Sequence, residues 1–90
     1  MEITYRSIDS LIPYECNAKL HPDSQVAKIA RSIQEFGFRN PALLDGQGEI
    51  IAGHGRILAA KILGMEKIPT IDASDMTPEQ ARAYRIADNK

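Results

Sequence analysis

Residues 49–60, Glu-Ile-Ile-Ala-Gly-His-Gly-Arg-Ile-Leu-Ala-Ala, form the most informative segment of this chain. An apolar run ends at Gly53, a second glycine follows at Gly55, and Arg56 comes directly after it. This order predicts a strand, a tight glycine turn and a helix whose first turn carries the arginine. Backbone N–H groups at the start of a helix attract anions, and a guanidinium fork fits phosphate oxygens. The segment therefore predicts a phosphate-binding turn made by Gly53, His54, Gly55 and Arg56.

A Gly-x-Gly turn alone is weak evidence for a ligand. No third glycine follows at the Rossmann spacing, and no Gly-Lys-Ser/Thr sequence completes a P-loop. The alternative is a plain strand-to-helix turn with a solvated Arg56, and periodicity does not decide between the two. A second candidate is the polar loop over residues 14–22, which is suited to closing over a ligand through Asn17, Lys19 and His21. The alternative there is an ordinary solvated loop.

The sequence on either side predicts four short strands. Alternating side chains predict a strand over residues 3–8, and the apolar runs 41–45 and 49–52 predict a hairpin around a glycine turn. A further strand is predicted over residues 67–71. Because proline has no N–H group to donate, Pro69 predicts that this last strand lies at a sheet edge or ends there.

Three helices are predicted as well. The first spans residues 24–36, with Asp23 or Ser24 as its cap and Gly37 as its stop. Its apolar face consists of Val26, Ile29, Ala30, Ile33 and Phe36. The second spans residues 56–63. The third begins with Thr77-Pro-Glu-Gln80, a capping-box sequence with proline at the first helical position, and runs to about Ala87. The order of elements predicts a small α+β fold.

Composition and charge exclude several classes of protein. The chain has 90 residues, of which 43% are hydrophobic and 26% charged, so it predicts one soluble domain over residues 1–90. No apolar run is long enough to span a membrane, and no membrane partner is expected. The net charge of −1 argues against DNA binding by the whole surface. The single Cys16 favours a reducing compartment, so we expect a cytoplasmic protein.

Other chemical constellations are weaker. His21 and His54 have no carboxylates at a known metal-binding spacing, so no metal site is expected. Asp45, beside the predicted hairpin turn, is typical of a turn former. Tyr84, with Arg82 and Arg85 nearby, is predicted as part of the surface of the last helix, with the tyrosine as one packing aromatic. The chain ends on this helix without a stop signal, which predicts a fragment of a longer protein.

Several short motifs, occurring in the same order, resemble those of the ParB-like N-terminal domain. One set matches its Gly-x-x-Arg-x-x-Ala-Ala…Leu-Gly…Ile-Pro pattern: Gly53-His-Gly-Arg56, Ala59-Ala60, Leu63-Gly64 and Ile68-Pro69. A second set is similar to its Leu-Ala-x-Ser-Ile…Gly…x-Pro segment: Ile29–Ile33, Gly37 and Asn40-Pro41. Asn17-Ala-Lys19 stands where the family has an arginine box. The closing residues 85–90 and the His-Gly variant look most like a branch, found in phage and bacteria, in which this domain precedes a DNA methyltransferase.

The resemblance implies a ParB/sulfiredoxin fold with a short mixed sheet and about three helices. In that superfamily the Gly-x-x-Arg turn binds nucleotide phosphates, in CTP-binding partition proteins, ATP-using sulfiredoxins and free-serine kinases. The implied ligand is ATP or CTP, with or without Mg²⁺. The residues that it assigns to nucleotide binding are Gly53, His54, Gly55 and Arg56, with Lys19, Asn17 and His21 from the loop.

Two departures from the family pattern limit this implication. Partition proteins usually carry Gly-Glu-Arg-Arg, whereas His54 and Gly55 occupy the middle positions here, which argues against CTP hydrolysis. Sulfiredoxins carry Gly-Cys-His-Arg, so with His54 at the cysteine position their known chemistry is not expected.

Three functions therefore stay open, and none decides whether the chain is an enzyme or forms a homodimer. The first is a nucleotide-binding module placed before a DNA methyltransferase or another DNA-acting domain. The second is a ParB-like nuclease or phosphoryl-transfer enzyme, for which Glu15, Asp45 and Glu49 are the acidic residues near the motifs. The third is a ligand-free module that positions a fused domain on DNA through phosphate contacts of Lys19, Arg39 and Arg56.

Overall fold

The computed structural model describes residues 2–13 and 22–88, the last of them by its backbone alone. Its strands are β1 (Ile3–Ser7), β2 (Ala42–Leu44), β3 (Ile50–Ala52) and β4 (Lys67–Asp72). Its helices are α1 (Asp23–Phe36), α2 (His54–Ile62) and α3 (Pro78–Asp88), with a single 3-10 turn at Ile8–Ser10. The predicted α+β class is confirmed.

The four strands form one mixed sheet in the order β1-β4-β2-β3. β1 runs antiparallel to β4, β2 runs parallel to β4, and β2 and β3 form the predicted antiparallel hairpin. β1 and β3 are therefore the two outer strands of the sheet. β3 leads directly into α2, which places the Gly53 turn at the β3 side of the molecule.

The prediction that Pro69 marks a sheet edge or a strand end is wrong, because β4 lies inside the sheet and continues to Asp72. The backbone N–H of Ile8 donates to the carbonyl of Glu66 at 3.0 Å, one step beyond the β1–β4 ladder. Hydrogen-bonded pairs alternate along an antiparallel ladder, so Pro69, opposite Tyr5, falls in a pair that exchanges no such bonds. Pairing with β2 begins only at Thr70. The ladder therefore needs no donor from the proline.

The main core lies between the sheet and α2. Its buried residues are Ile8, Leu11, Ala42, Leu44, Ile50, Ile57, Ala60 and Ile68. A fully buried side chain such as Leu44 or Ile68 contributes about 1.5–3 kcal/mol to stability through the hydrophobic effect. α1 covers α2 from outside, with Val26 and Ala30 packed on Ala59. A separate cluster of Ile51, Ala73 and Ala81 joins α3 to the sheet.

Two details of the predicted helices differ from the structure. Pro22 is the cap of α1 in place of the predicted Asp23 or Ser24, and its carbonyl accepts the N–H of Gln25 and of Val26. Phe36, predicted on the buried stripe, is 60% exposed. α1 has 14 residues and the α2 that it packs against has 9, so α2 does not cover the whole length of α1.

Candidate functional site

The turn between β3 and α2 depends on a glycine at position 53. Gly53 has φ 105° and ψ 17°, a left-handed conformation that side chains other than glycine rarely adopt. A Cβ atom placed there would lie 3.2 Å from the Cβ and 3.3 Å from the Cα of Ala42 in β2. The glycine carbonyl accepts the N–H of Ile57 at 2.9 Å, so α2 starts at once. This is why the helix begins at His54, two residues before the predicted start.

The first turn of α2 has the features of a helix start that attracts anions. It contains no acidic residue, and within the described part of the chain no side chain caps it with a hydrogen bond. The N–H groups of the first helical residues have no acceptor inside a helix, and the helix dipole adds a partial positive charge there. Gly55 keeps this turn free of a side chain between His54 and Arg56. The local chemistry therefore suits an anion.

Arg56 is not the solvated side chain of the alternative interpretation. It is partly buried, and its Nη2 donates a hydrogen bond to the carbonyl of Pro41 at 3.3 Å. That bond ties the first turn of α2 to the segment that enters β2. The guanidinium is therefore held at the junction of α2 with the loop that follows α1.

A groove of about 300 Å³ opens at this junction. Its lining combines two arginines, small polar side chains and an apolar wall, and consists of Ile29, Ser32, Ile33, Phe36, Gly37, Phe38, Arg39, Asn40 and Arg56. The Nε of Arg39 donates to the carbonyl of Phe36 at 2.7 Å, which fixes its side chain at the groove. A ligand in this groove would meet two cations and two phenyl rings. Volumes from about 300 Å³ upward are typical of small-molecule sites.

The sequence predicted Arg39 as a DNA contact and did not connect it with the ligand site. The signal that was available is the run Gly37-Phe-Arg-Asn-Pro41, where a helix stop and a proline bracket an arginine. Such a segment forms a defined loop, but only the packing of α1 on α2 shows that the loop lies beside Arg56.

The other predicted site residues are placed differently. The His54 side chain is buried and lines a small cavity with Ile8, Leu11 and Ile50, apart from the residues that line the groove. Its backbone still belongs to the first turn of α2. Asn17, Lys19 and His21 lie outside the described residues, so the predicted closing loop stays a prediction.

The acidic residues of the hairpin form a structural cluster with Arg85. Asp45 Oδ1 accepts the N–H groups of Gln47 and Glu49 at 2.8 and 2.9 Å, which confirms it as a turn former. Glu49 Oε1 accepts from Arg85 Nη2 at 2.8 Å, and Asp45 Oδ2 lies 4.0 Å from the same atom. Arg85 Nε donates to the carbonyl of Ile50 at 3.3 Å.

The predicted surface position of Arg85 is therefore wrong. The residue is 8% exposed, because it lies one helical turn after Ala81 on the face of α3 that packs against the sheet. Arg85 thereby engages Glu49 and Asp45, two of the acidic residues that the enzyme alternative would use. Within residues 2–13 and 22–88, no group of three or more His, Cys, Asp or Glu side chains is arranged to hold a metal ion.

Solved structures with the same architecture define the class of this protein. The C-terminally truncated chromosome-partitioning protein ParB from Caulobacter crescentus, complexed with CTP-gamma-S, superposes with a TM-score of 0.84 at 20% identity. That alignment covers 99% of this chain and 53% of the solved chain. Sulfiredoxin from Arabidopsis thaliana superposes with a TM-score of 0.75 at 20% identity, over 93% of this chain and 97% of the other. The chain has the ParB/sulfiredoxin fold.

Sequence comparison then identifies the family. The model of the ParB N-terminal domain matches residues 2–89, and the chain belongs to this family. The ParB-like nuclease domain-containing protein YnaK of Escherichia coli (strain K12) is 49% identical over 80 residues, which cover 89% of this chain and 92% of YnaK. The probable chromosome 2-partitioning protein ParB of Deinococcus radiodurans is 35% identical over 68 residues. The match covers 72% of this chain and 23% of that partitioning protein.

Among the described residues, no helix combines the length and the apolar character that crossing a membrane requires.

Proposed function

We propose that this domain binds the phosphates of a nucleoside triphosphate, CTP or ATP, at the start of α2. The observation that carries the proposal is the Gly53 turn, which sets the first turn of α2, with Arg56, at the edge of a groove. The fold of the partitioning protein that holds CTP-gamma-S supports the same class of ligand. The domain would serve as a module of a DNA-associated protein.

Each part of the groove has a role in this proposal. His54 and Gly55 are buried beside the groove and do not line it, and in this proposal their backbone N–H groups donate to phosphate oxygens that reach the start of α2. The helix dipole favours the negative charge of these oxygens. Arg56 adds a charge-assisted, planar donor pair. Arg39 supplies a second cation beside it, and the phenyl rings of the groove offer a stacking surface for the base. Mg²⁺ would arrive with the triphosphate, since it prefers phosphate oxygens and water to all-protein cages.

The predicted loop completes the site in this proposal. Asn17, Lys19 and His21 would close over the bound phosphates, with Lys19 as a third cation. Binding would then shift the loop toward its closed state, which is a regulatory output without any chemical step.

Isothermal titration calorimetry with ATP, ADP, CTP and GTP, with and without Mg²⁺, tests the proposal. The wild type should bind one of them saturably. Arg56→Ala should weaken that binding by at least about tenfold, because a charge-assisted hydrogen-bonded contact is lost. Arg31→Ala is the matched control, since Arg31 is an exposed arginine of α1 that does not line the groove, and its affinity should equal the wild type. Binding that survives Arg56→Ala, or no binding at all, would overturn the proposal.

A nuclease or phosphoryl-transfer enzyme is the second candidate, supported by the name of YnaK. Such chemistry normally uses carboxylates on Mg²⁺, and the ion pair of Glu49 with Arg85 counts against this hairpin as their source. Mg²⁺-dependent cleavage of DNA by the wild type, lost in Arg56→Ala, would favour the enzyme. Cleavage that persists in the variant indicates a contaminating nuclease.

The third candidate is a ligand-free module that contacts DNA through Lys19, Arg39 and Arg56. Its affinity for duplex DNA should fall steeply with salt, because neutralised phosphates release counterions. We further propose a cytoplasmic, phage or bacterial context in which the domain precedes a DNA methyltransferase or another DNA-acting domain of a longer protein. Sequencing the gene beyond codon 90 tests that arrangement directly.

A further inference from the structure

The outer strand β1 is an open sheet edge. In the described part of the chain, β4 is the strand that pairs with it, and no other does. Ile3 and Tyr5, which lie on one face of β1, are 55% and 66% exposed. Natural proteins usually protect such an edge with charged residues, especially lysine, or with proline, a bulge or a covering element. β1 contains neither lysine nor proline, and its one charged residue is Arg6.

The backbone geometry shows which residues face outward. The bond from the Ile8 N–H to the Glu66 carbonyl continues the β1–β4 ladder by one pair, and within that ladder Thr4 lies opposite Thr70. Because bonded pairs alternate, the even-numbered residues of β1 direct their backbone groups to β4. The odd-numbered residues direct theirs to the open edge, and these are Ile3, Tyr5 and Ser7.

We propose that β1 pairs with β1 of a second copy of this chain, antiparallel and about a two-fold axis at Thr4. The pairing joins two sheets into one of eight strands. It places Glu2 opposite the partner's Arg6, Ile3 opposite the partner's Tyr5, and Thr4 opposite the partner's Thr4. These are an opposite-charge pair, a β-branched with aromatic pair and a Thr–Thr pair, which are the cross-strand combinations that stabilise antiparallel sheets.

The register follows from the outward-facing residues. An antiparallel pair bonded through odd-numbered residues on both sides can be centred on Ile3, Thr4, Tyr5 or Arg6. Only the centre at Thr4 pairs an acid with a base. Centres at Ile3 or Tyr5 put Glu2 opposite an uncharged residue, and a centre at Arg6 would pair two arginines. The charge pattern of the strand therefore selects a single register.

The two charged residues start from different positions. Glu2 is exposed, whereas Arg6 is partly buried with its guanidinium near Gly48, so in the proposed pairing the Arg6 side chain turns toward the partner's Glu2. No ion pair within residues 2–13 and 22–88 involves either of them. In the non-hydrogen-bonded pairs of an antiparallel ladder the Cα atoms are about 4.5 Å apart, so both side chains reach across. The dimer edge lies across the sheet from the Gly53 turn, so this inference is independent of nucleotide binding.

Sedimentation equilibrium of the 90-residue chain over a range of concentrations tests the pairing. The wild type should show a monomer–dimer equilibrium, and Glu2→Arg should weaken association at least about tenfold, because two attractive pairs become repulsive. The exchanged double variant, Glu2→Arg with Arg6→Glu, should restore association. Within one strand these residues are about 13 Å apart, so restoration cannot come from a contact inside the chain. A monomer at every concentration, or association that ignores Glu2→Arg, would overturn the proposal.

Disulfide cross-linking tests the register without touching Arg6. In a Cys16→Ser background, Thr4→Cys places two thiols across the axis, where Cα atoms about 4.5 Å apart can be bridged. Ile3→Cys is the matched control, since its two copies lie about 8 Å apart in this register, beyond disulfide reach. Oxidation should give covalent dimer from Thr4→Cys much faster than from Ile3→Cys. Equal rates, or no covalent dimer from either variant, would contradict the assigned register.

Discussion

Helices α2 and α3 both begin directly after a turn, yet their first turns are built differently. At α3, Gln80 Oε1 accepts the N–H of Thr77 at 2.9 Å, and Thr77 Oγ1 accepts the N–H of Gln80 at 3.1 Å. This capping box satisfies the start of the helix with its own side chains. At α2, a left-handed Gly53 replaces the capping side chain, and a groove with two arginines lies beside the first turn.

The side-chain cap of α3 and the glycine start of α2 have different consequences for stability and for ligand binding. A helix start closed by its own side chains has its donors engaged and gains about 1 kcal/mol from the cap. A start built on glycine gives up that gain, and the backbone can approach a ligand closely. Substitutions at α3 should therefore change the free energy of unfolding and leave ligand binding intact, whereas Arg56→Ala at α2 should weaken binding strongly and lower stability only a little.

The largest loss of stability is expected at the glycine that builds the α2 start. Gly53→Ala should lower the free energy of unfolding by about 3 kcal/mol, because it combines a left-handed backbone with close contacts of its Cβ to the Arg56 guanidinium and to Ala42. Gly64→Ala is the matched control, with φ 76° and no atom within 4 Å of the added Cβ. It should cost about 1 kcal/mol, from the backbone alone. Chemical denaturation measures both, and equal losses would show that the approach to Ala42 is not tight.

The next largest effect is expected where α3 is anchored. Arg85→Ala removes the partner of Glu49 and a buried side chain, and should cost about 2 kcal/mol. The loss is below that of a fully buried pair, because the Glu49 side chain is 34% exposed and regains water. Arg82→Ala, at an exposed position three residues earlier, should stay within about 0.5 kcal/mol. If the denaturation curves of the two variants coincide, the ion pair of Arg85 with Glu49 does not stabilise the attachment of α3.

A smaller effect is expected at the cap of α3. Thr77→Ala removes the acceptor for the Gln80 N–H and should lower the free energy of unfolding by about 1 kcal/mol. Thr77→Ser keeps a hydroxyl in place and should differ from the wild type by a few tenths of a kcal/mol at most. Thermal unfolding followed by circular dichroism distinguishes them. A serine variant as unstable as the alanine variant would mean that the hydroxyl is not the stabilising group.

The two helix starts also show what a sequence can predict. The Thr77-Pro-Glu-Gln80 signal is local, since every atom of the capping box lies within four residues, and its helix was predicted to within one residue. Gly53 was predicted as a turn for the same reason. What the sequence could not supply is the partner of each residue. That Gly53 packs on Ala42, or that Arg39 lies beside Arg56, depends on elements that are distant along the chain.

The wrong predictions have the same origin. Pro69 indicates a sheet edge only if strand order is ignored, and the order β1-β4-β2-β3 follows from a parallel pairing of β2 with β4 that no local motif encodes. Arg85 has the sequence spacing of a residue on the buried face of α3, four after Ala81, but its charge argued for the surface. The acidic hairpin that compensates the charge lies 36 residues away in sequence.

The smallest loss of stability is expected at Arg56, whose variant gives the sharpest separation of the two helix starts. Arg56→Ala removes one 3.3 Å hydrogen bond to the Pro41 carbonyl from a partly buried side chain, and should cost about 0.5–1 kcal/mol.

A ligand that binds only the folded state raises stability by about 2.7 kcal/mol at a hundredfold excess over its Kd. Saturating nucleotide should therefore raise the melting temperature of the wild type and of Thr77→Ala alike. Arg56→Ala, although more stable than Thr77→Ala or equal to it without ligand, should gain little. A nucleotide-induced shift that survives in Arg56→Ala and disappears in Thr77→Ala would assign the binding site to the other helix.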